Sequence, residues 1–350
     1  MSIRNFLGRA LRNKRLVLSI ITFFALLFVW VFRDDAYTAW TLVSLPLYWA
    51  NGAEEFYISK ERDNFDLTFA NYSKSQTGAG EGLTDHVPPI LHHIMLGSRK
   101  AAADWNAARQ TCLDWHPDYE HRLWTDENAV NFVAEKFPDF KPTWDAYRLP
   151  IQRVDALRYM ILYEYGGIIF DMDLECRRSL GPLRQFKFVA PAAHPTGFSV
   201  SFIMSSKQNE FVATILRELP VYDRNWFGLP YVTVMFSTGG HFASALHARL
   251  SNRSESKVLG GPPEDPKLNS LNGQVTTPLF NHLGSSSWHS YDGLFIMLLG
   301  KHIKLVAVVV VLIAALVSVT IVAWYRTGLS LRRLSVSGPS DEDLEKMARE

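Results

Sequence analysis

Two uncharged apolar runs frame the chain, and between them apolar positions recur in short blocks separated by polar turns. The first run, LVLSIITFFALLFVWVF at 16–32, has about the minimum length that crosses a bilayer as a helix; the second, at 305–325, is longer and equally free of charge. Both are expected to span, as transmembrane helices at 16–33 and 305–325. VFRDDAY follows the first run without a small-x-small cleavage site, so the run reads as a retained anchor and not a signal peptide. Arg4, Arg9, Arg12, Lys14 and Arg15 precede it, and Arg33 follows it. The cytosolic bias of basic residues then puts the basic tail 1–15 and the polar tail 326–350 in the cytosol and the middle of the chain in a lumen. Arg326, Arg332 and Arg333 after the second run agree, although Lys301 and Lys304 before it weaken the contrast.

Residues 36–50 are apolar and aromatic but interrupted by Pro46, too short to span. They read as a segment lying on the membrane surface, with a core helix as the alternative. NYSKSQTGAGEGLTDH at 71–86 is polar and glycine-rich, so 34–86 is taken as interfacial segment plus linker. From residue 87 the pattern changes. VPPILHHIMLG predicts a turn and a buried strand, and DWNAARQTCLDW a helix with Trp105, Ala108, Cys112 and Trp115 near one face. YEHRLWTD predicts a strand, ENAVNFVAEKF a helix capped by Asp126, and PIQRVDALRYMILYEYGG a long helix ended by glycine. IIF, FVAPA and FSVSFIMSS predict further strands, and NEFVATILREL a helix. Alternating strands and helices over 87–300 imply an α/β domain, a mostly parallel sheet with helices on both faces.

Composition adds limits. The 350 residues carry a net charge of +1, which points to no nucleic-acid partner. Two cysteines, Cys112 and Cys176, cannot build a disulfide framework; one disulfide or two buried thiols both stay open. Two glycosylation sequons, at Asn71 and Asn252, fall in the part assigned to a lumen.

The chemistry concentrates in YEYGGIIFDMDLECRRSL. Residues i and i+2 of a strand point the same way, so Asp171 and Asp173 are expected to converge, and like charges so close call for a cation between them. Carboxylate oxygens suit hard ions such as Mg²⁺ or Mn²⁺, with open positions left for a diphosphate. An Asp-x-Asp alone is a common solvated turn. Here Gly166 and Gly167 allow close backbone approach, and Ile168, Ile169 and Phe170 make the support a buried strand. Upstream, Asp155 and Arg158 share a helix face, a carboxylate beside a guanidinium fork that suits sugar hydroxyls and phosphate. Downstream, FNHLGSSSWHSYD offers His282, Ser287, Trp288 and His289 as further ligands, and Asp292 as an acidic group.

The stretch IQRVDALRYMILYEYGGIIFDMDLECRRSL resembles the signature of glycosyltransferase family 32, with its DxD-containing sugar region. Within it, the chain is similar to the fungal inositol phosphorylceramide mannosyltransferases, through VPPILHHIMLG, WNAARQTCLDWHPDYEHRLWTDE, PYVTVMFSTGGHF and GSSSWHSYDGLF. The resemblance implies a GT-A fold with a Rossmann-like sheet, a GDP-mannose donor, Mn²⁺ or Mg²⁺, and retaining transfer of mannose to the inositol of inositol phosphorylceramide. It implies Asp171 and Asp173 as metal ligands, with His289 preferred to His282 as a third. It implies donor contacts from Asp155, Arg158, Asp171, Gly166, Gly167 and Trp288, and catalytic roles for Asp171, Asp173 and Arg158. Relatives of this kind work in the Golgi membrane with a multi-span regulatory subunit. Another metal-dependent retaining transferase, such as a protein N-glycan α-mannosyltransferase, and a non-catalytic membrane scaffold are the alternatives. His93 and Met95 stand where relatives often have Gln and an aromatic residue, which leaves the base-stacking contact open.

Overall fold

The computed structural model describes residues 14–97, 103–285, 291–302, 308–309, 311–320 and 322–323. They fall into two units, Met1–His289 and Ser290–Glu350. The first opens with helices α1 (Lys14–Val43) and α2 (Leu45–Trp49). Then follow β1 (Ile90–Ile94), α3 (Ala103–Asp114), β2 (Glu120–Trp124), α4 (Asp126–Lys136), α5 (Pro150–Tyr165), β3 (Gly167–Phe170) and β4 (Leu174–Cys176). The chain continues through β5 (Phe188–Pro191), β6 (Phe202–Ser205), α6 (Glu210–Tyr222), α7 (Pro230–Ser237), α8 (Gly240–His247), β7 (Lys257–Leu259), β8 (Val275–Thr276) and β9 (Phe280–His282).

Six strands form one sheet in the order β2-β1-β3-β6-β5-β7, and β4-β9-β8 form a second. In the first, β1 pairs in parallel with β2 and β3, and β5 with β7, while β6 is antiparallel to both its neighbours. The apolar sequence of β3 follows from its central place, because a strand covered on both faces has no solvent side. Ile168 and Phe170 enter one core with Leu91, Phe202 and Met204, and Ile169 enters another with Phe188, Ile203 and Leu157 of α5. The alternation of a pleated strand thus feeds two cores from three consecutive residues.

Helices α5, α6 and α8 supply the second of these cores. The opposite face departs from the expected helical layer. It is closed by Phe65 and Phe69, by Phe280 of the small sheet and by Cys112 of α3, all buried. Residues 34–86 are therefore part of the body. Thr38, Thr41, Leu42, Leu45, Trp49 and Phe56 are buried, while Tyr37, Trp40, Val43, Leu47 and Tyr48 stay exposed, so 36–50 has a core face and an open face. The glycine-rich stretch is pinned by main-chain bonds: Ser179 N donates to Lys74 O at 2.7 Å, and Arg184 Nη1 to Thr77 O at 3.0 Å.

Helix α1 corrects the first expected span. It does not stop at residue 33 but runs through Arg33, Asp34 and Asp35 to Val43. Its described side chains from 18 to 32 are apolar or small and all exposed. The uncharged run at 16–32 rises about 25 Å, below a hydrocarbon core of about 30 Å. Among the described residues no helix is long and apolar enough to cross a membrane. In the second unit α9 covers Tyr291–Lys301, and residues 311–320 are helical and exposed; the rest of the expected span at 305–325 lies largely outside the described residues.

Candidate active site

The site begins where β3 ends. Pairing stops at Phe170, and Asp171, Met172 and Asp173 form a turn instead of continuing the strand. Asp171 N donates to Ser201 O at 2.8 Å, and Leu174 N returns to Asp171 O at 3.2 Å. Two carboxylates facing one way along a strand was the expectation. The turn replaces it, and the two groups are held by different neighbours.

Asp171 leans toward α5. Its Oδ1 accepts from Arg158 Nη2 at 2.9 Å, and the side chain keeps 35% of its exposure. Arg158 is almost wholly buried. Its Nη1 donates to Val200 O at 2.5 Å, its Nη2 lies 3.5 Å from Asp155 Oδ1, and its Nε has no hydrogen-bond partner. The i,i+3 spacing thus gives the expected pair, with the guanidinium bridging helix and turn. Asp155 is fixed in turn by Thr238, whose Oγ1 donates to Oδ2 at 3.0 Å. Burial pushes the Asp155 carboxyl well above its ordinary range, opposed by the positive charge of Arg158.

Asp173 leans the other way and is 8% exposed. Strand β4 pairs Leu174 with His282 of β9, and Leu283 N donates to Asp173 O at 3.0 Å. That register brings Ser285 N and Oγ to Asp173 Oδ2 at 3.0 and 2.6 Å, with His282 Nε2 at 3.5 Å. Burial alone would raise the carboxyl; the bonds from His282 and Ser285 outweigh it and hold Asp173 down at about 2. Burial likewise opposes protonation of His282, and the Asp173 carboxylate overcomes it, so the imidazole is raised.

His282 is therefore the downstream imidazole seated beside Asp173. Ser287, Trp288 and His289 lie outside the described residues, and Asp292 belongs to the second unit. Gly166 and Gly167 sit at the far end of β3 from Asp171. A Cβ on Gly166 would meet Lys207 N at 2.6 Å, and one on Gly167 would meet Ile90 O at 2.6 Å, both at positive φ. Their close approach is to neighbouring backbone. His93 is buried and stacks on Phe170, with ring centroids 5.4 Å apart. Thr238 and Ser285 escaped sequence reasoning: they lie 83 and 112 residues from their carboxylate partners.

Asp171 and Asp173 each keep one oxygen outside the hydrogen bonds just described, and His282 Nδ1 is buried without a partner. Among the described residues no group of three or more His, Cys, Asp or Glu is arranged to hold a metal by itself. The donor set fits a hard divalent ion that shares its coordination with a bound diphosphate, since two carboxylates leave most positions open.

Residues 102–189 match a family described as a glycosyltransferase sugar-binding region containing a DXD motif, and the match encloses Asp155, Arg158, Asp171 and Asp173. The chain is similar to two mannosyl phosphorylinositol ceramide synthases of Saccharomyces cerevisiae. It is 35% identical to CSH1 over 62% of this chain and 57% of that protein, and 36% identical to SUR1 over 62% and 56%. The chain thus spans somewhat over half the length of these relatives. Among solved structures, PaToxG glycosyltransferase superposes at 19% identity over 47% of this chain and 70% of its own, with a TM-score of 0.35.

Proposed function

From a chain that carries a DXD-containing glycosyltransferase sugar-binding region, we propose a retaining mannosyltransferase that moves mannose from GDP-mannose to the inositol of inositol phosphorylceramide. The observation that carries this reading is the chain of contacts Thr238–Asp155–Arg158–Asp171 next to Asp173, at the exit of a buried strand inside the matched region. The names of the two yeast relatives support the sugar and the acceptor. A sheet that is parallel except for β6 supports a GT-A arrangement, with the ligand crevice at the carboxyl ends of its strands.

Asp171 and Asp173 would hold the divalent ion, Mn²⁺ or Mg²⁺. Once bound, it supplies positive charge against the departing diphosphate. Arg158 is fixed by Val200 O and by two carboxylates, so its guanidinium is placed before substrate arrives and costs little reorganisation when charge develops. Asp155, itself buried and held by Thr238, orients Arg158. Retention without a second placed carboxylate suits front-face attack, in which the acceptor hydroxyl passes its proton to an oxygen of the leaving phosphate.

Two observations support work at a membrane, in the Golgi lumen. The apolar side chains of α1 between 18 and 32 are exposed, which suits lipid contact. Cys112 and Cys176 form a disulfide, which suits an oxidising compartment. A multi-span regulatory partner would have the same exposed surface to meet. The direct test is transfer of labelled mannose from GDP-mannose to inositol phosphorylceramide by the purified protein. Transfer to a protein N-glycan instead, or no transfer to any acceptor, would replace this reading with one of its alternatives.

A further inference from the structure

A second polar feature lies at the other end of β4. The strand leaves Asp173, passes Cys176 and delivers Arg177 and Arg178 to a cleft of about 350 Å³. Phe69, Tyr72 and Pro278 form apolar walls, and Lys74 completes a group of three cations. No carboxylate lines the cleft, and among the described residues none of the three makes an ion pair. Asp66, the acidic group that Arg178 senses, already accepts from Thr68 N and Oγ1 and from Asn71 N.

Arg178 shows how the cleft is built. It is 6% exposed, and its guanidinium donates to Phe69 O at 2.6 Å and to Tyr72 O and Ser73 O at 2.6 and 3.1 Å. These are neutral carbonyls, so the guanidinium is buried with no ion pair, Asp66 acting on it only from a distance, and Nε has no partner. A buried cation in that state attracts an anion. The Arg177 side chain donates from Nη1 to Thr277 O at 2.5 Å, and Lys74 and Arg177 are exposed at the rim. A guanidinium with fixed planes beside a mobile ammonium is the donor set that phosphate oxygens take.

We propose that this cleft binds a phosphodiester, the phosphate of the lipid acceptor, and so positions the acceptor for transfer. The identity of the acceptor rests on the function proposed above; the phosphate site does not. Arg177 lies four positions beyond Asp173, with the three residues of β4 between them, a reach of about 13 Å at full extension, so an anchored phosphate would leave its polyol pointing back along the β4–β9 ladder toward the carboxylates. The aromatic and proline walls suit the apolar part of such a molecule.

The test measures binding, not turnover. Glycerophosphoinositol and inorganic phosphate are titrated into the full-length protein in detergent, and co-flotation is measured with phosphatidylcholine vesicles with or without phosphatidylinositol. The comparison proteins are Lys74→Gln/Arg177→Gln, which changes only rim side chains, and Asp173→Asn. The phosphodiester should bind the unsubstituted protein and Asp173→Asn equally, and the double variant at least about tenfold more weakly, the loss of one charge-assisted contact or more. Vesicles containing phosphatidylinositol should be preferred, and the preference should vanish in the double variant. Equal binding of the phosphodiester by all three proteins would overturn the proposal, as would retention of inorganic phosphate alone. If the site behaves as described but no mannose is transferred by the unsubstituted protein, the cleft stands and the function proposed above fails.

Discussion

Arg158 is the residue on which the site turns, because it is a buried cation facing two carboxylates from different elements. Arg158→Lys keeps the charge but loses the planar fork, so we expect catalysis to fall by about 10²-fold with a folded protein, measured as kcat against thermal melting. Arg158→Ala leaves Asp155 buried without its cation and should cost about 3–5 kcal/mol in chemical denaturation. Thr238→Val should cost less, about 1–3 kcal/mol, since it removes a single donor to the same carboxylate. The Asp155/Arg158 pair was legible because helical spacing makes i and i+3 neighbours. Ser285 and Thr238 were not, because only the folded sheet and the end of α7 bring them in. Asp126 shows the same limit locally. It looked like the cap of α4, yet Thr125 is the cap residue, its N–H donating to Asn128, while Asp126 accepts from Gly97 N at 3.0 Å.

Among the elements, β4 links the most features: it follows Asp173, leads to the basic cleft and is tied to α3 by the Cys112–Cys176 disulfide. The bridge spans 64 residues, and removing a cross-link of that reach costs about 4 kcal/mol through the unfolded chain. Reduction, or Cys112→Ser/Cys176→Ser, should lower the melting temperature and loosen the turn that carries Asp173. Equal melting of oxidised and reduced protein would show that the bridge does not hold α3 and β4. Strand and helix identities in the body were readable from apolar period and glycine ends, and β1, β3 and α5 fall where the pattern put them. The exit of β3 after Phe170 was legible, but the turn that parts Asp171 from Asp173 was not, because Asp-x-Asp has period two whether or not the chain is still paired.

For the whole molecule, residues 34–86 read in sequence as an interfacial segment at 36–50 followed by a polar, glycine-rich linker at 71–86. Their aromatic residues, Phe56, Phe65 and Phe69, instead close the core, and such contacts over long separations leave no periodic trace. The C-terminal part of α1 is bound to the body as well. Thr41 Oγ1 meets Tyr222 Oη at 2.7 Å, His241 Nε2 lies 2.8 Å from Leu42 O, and Arg249 Nη1 donates to Thr41 O at 3.0 Å. Substituting Phe23, Phe24 and Phe28 by Asp should therefore reduce recovery with membranes in flotation without changing the melting of the body. Acid should weaken the fold. Burial holds His92 and His116 at about 4 and His247 at about 3, whereas the unfolded chain binds their protons near 6.5. Their contribution is complete above about pH 6.5 and is lost as pH falls toward 4, by up to about 1.4 kcal/mol per pH unit for each histidine. Denaturant midpoints measured across that range check the sign.

Asp171 and Asp173 are proposed to serve a metal-assisted transfer of mannose. This is tested most directly by assaying the purified protein with GDP-mannose and inositol phosphorylceramide, with Mn²⁺ or with a chelator, beside Asp173→Asn. Transfer is expected with Mn²⁺ and none with chelator, with a loss of at least about 10²-fold in a variant that melts near the unsubstituted protein. Undiminished transfer by Asp173→Asn, or by protein stripped of metal, would contradict it.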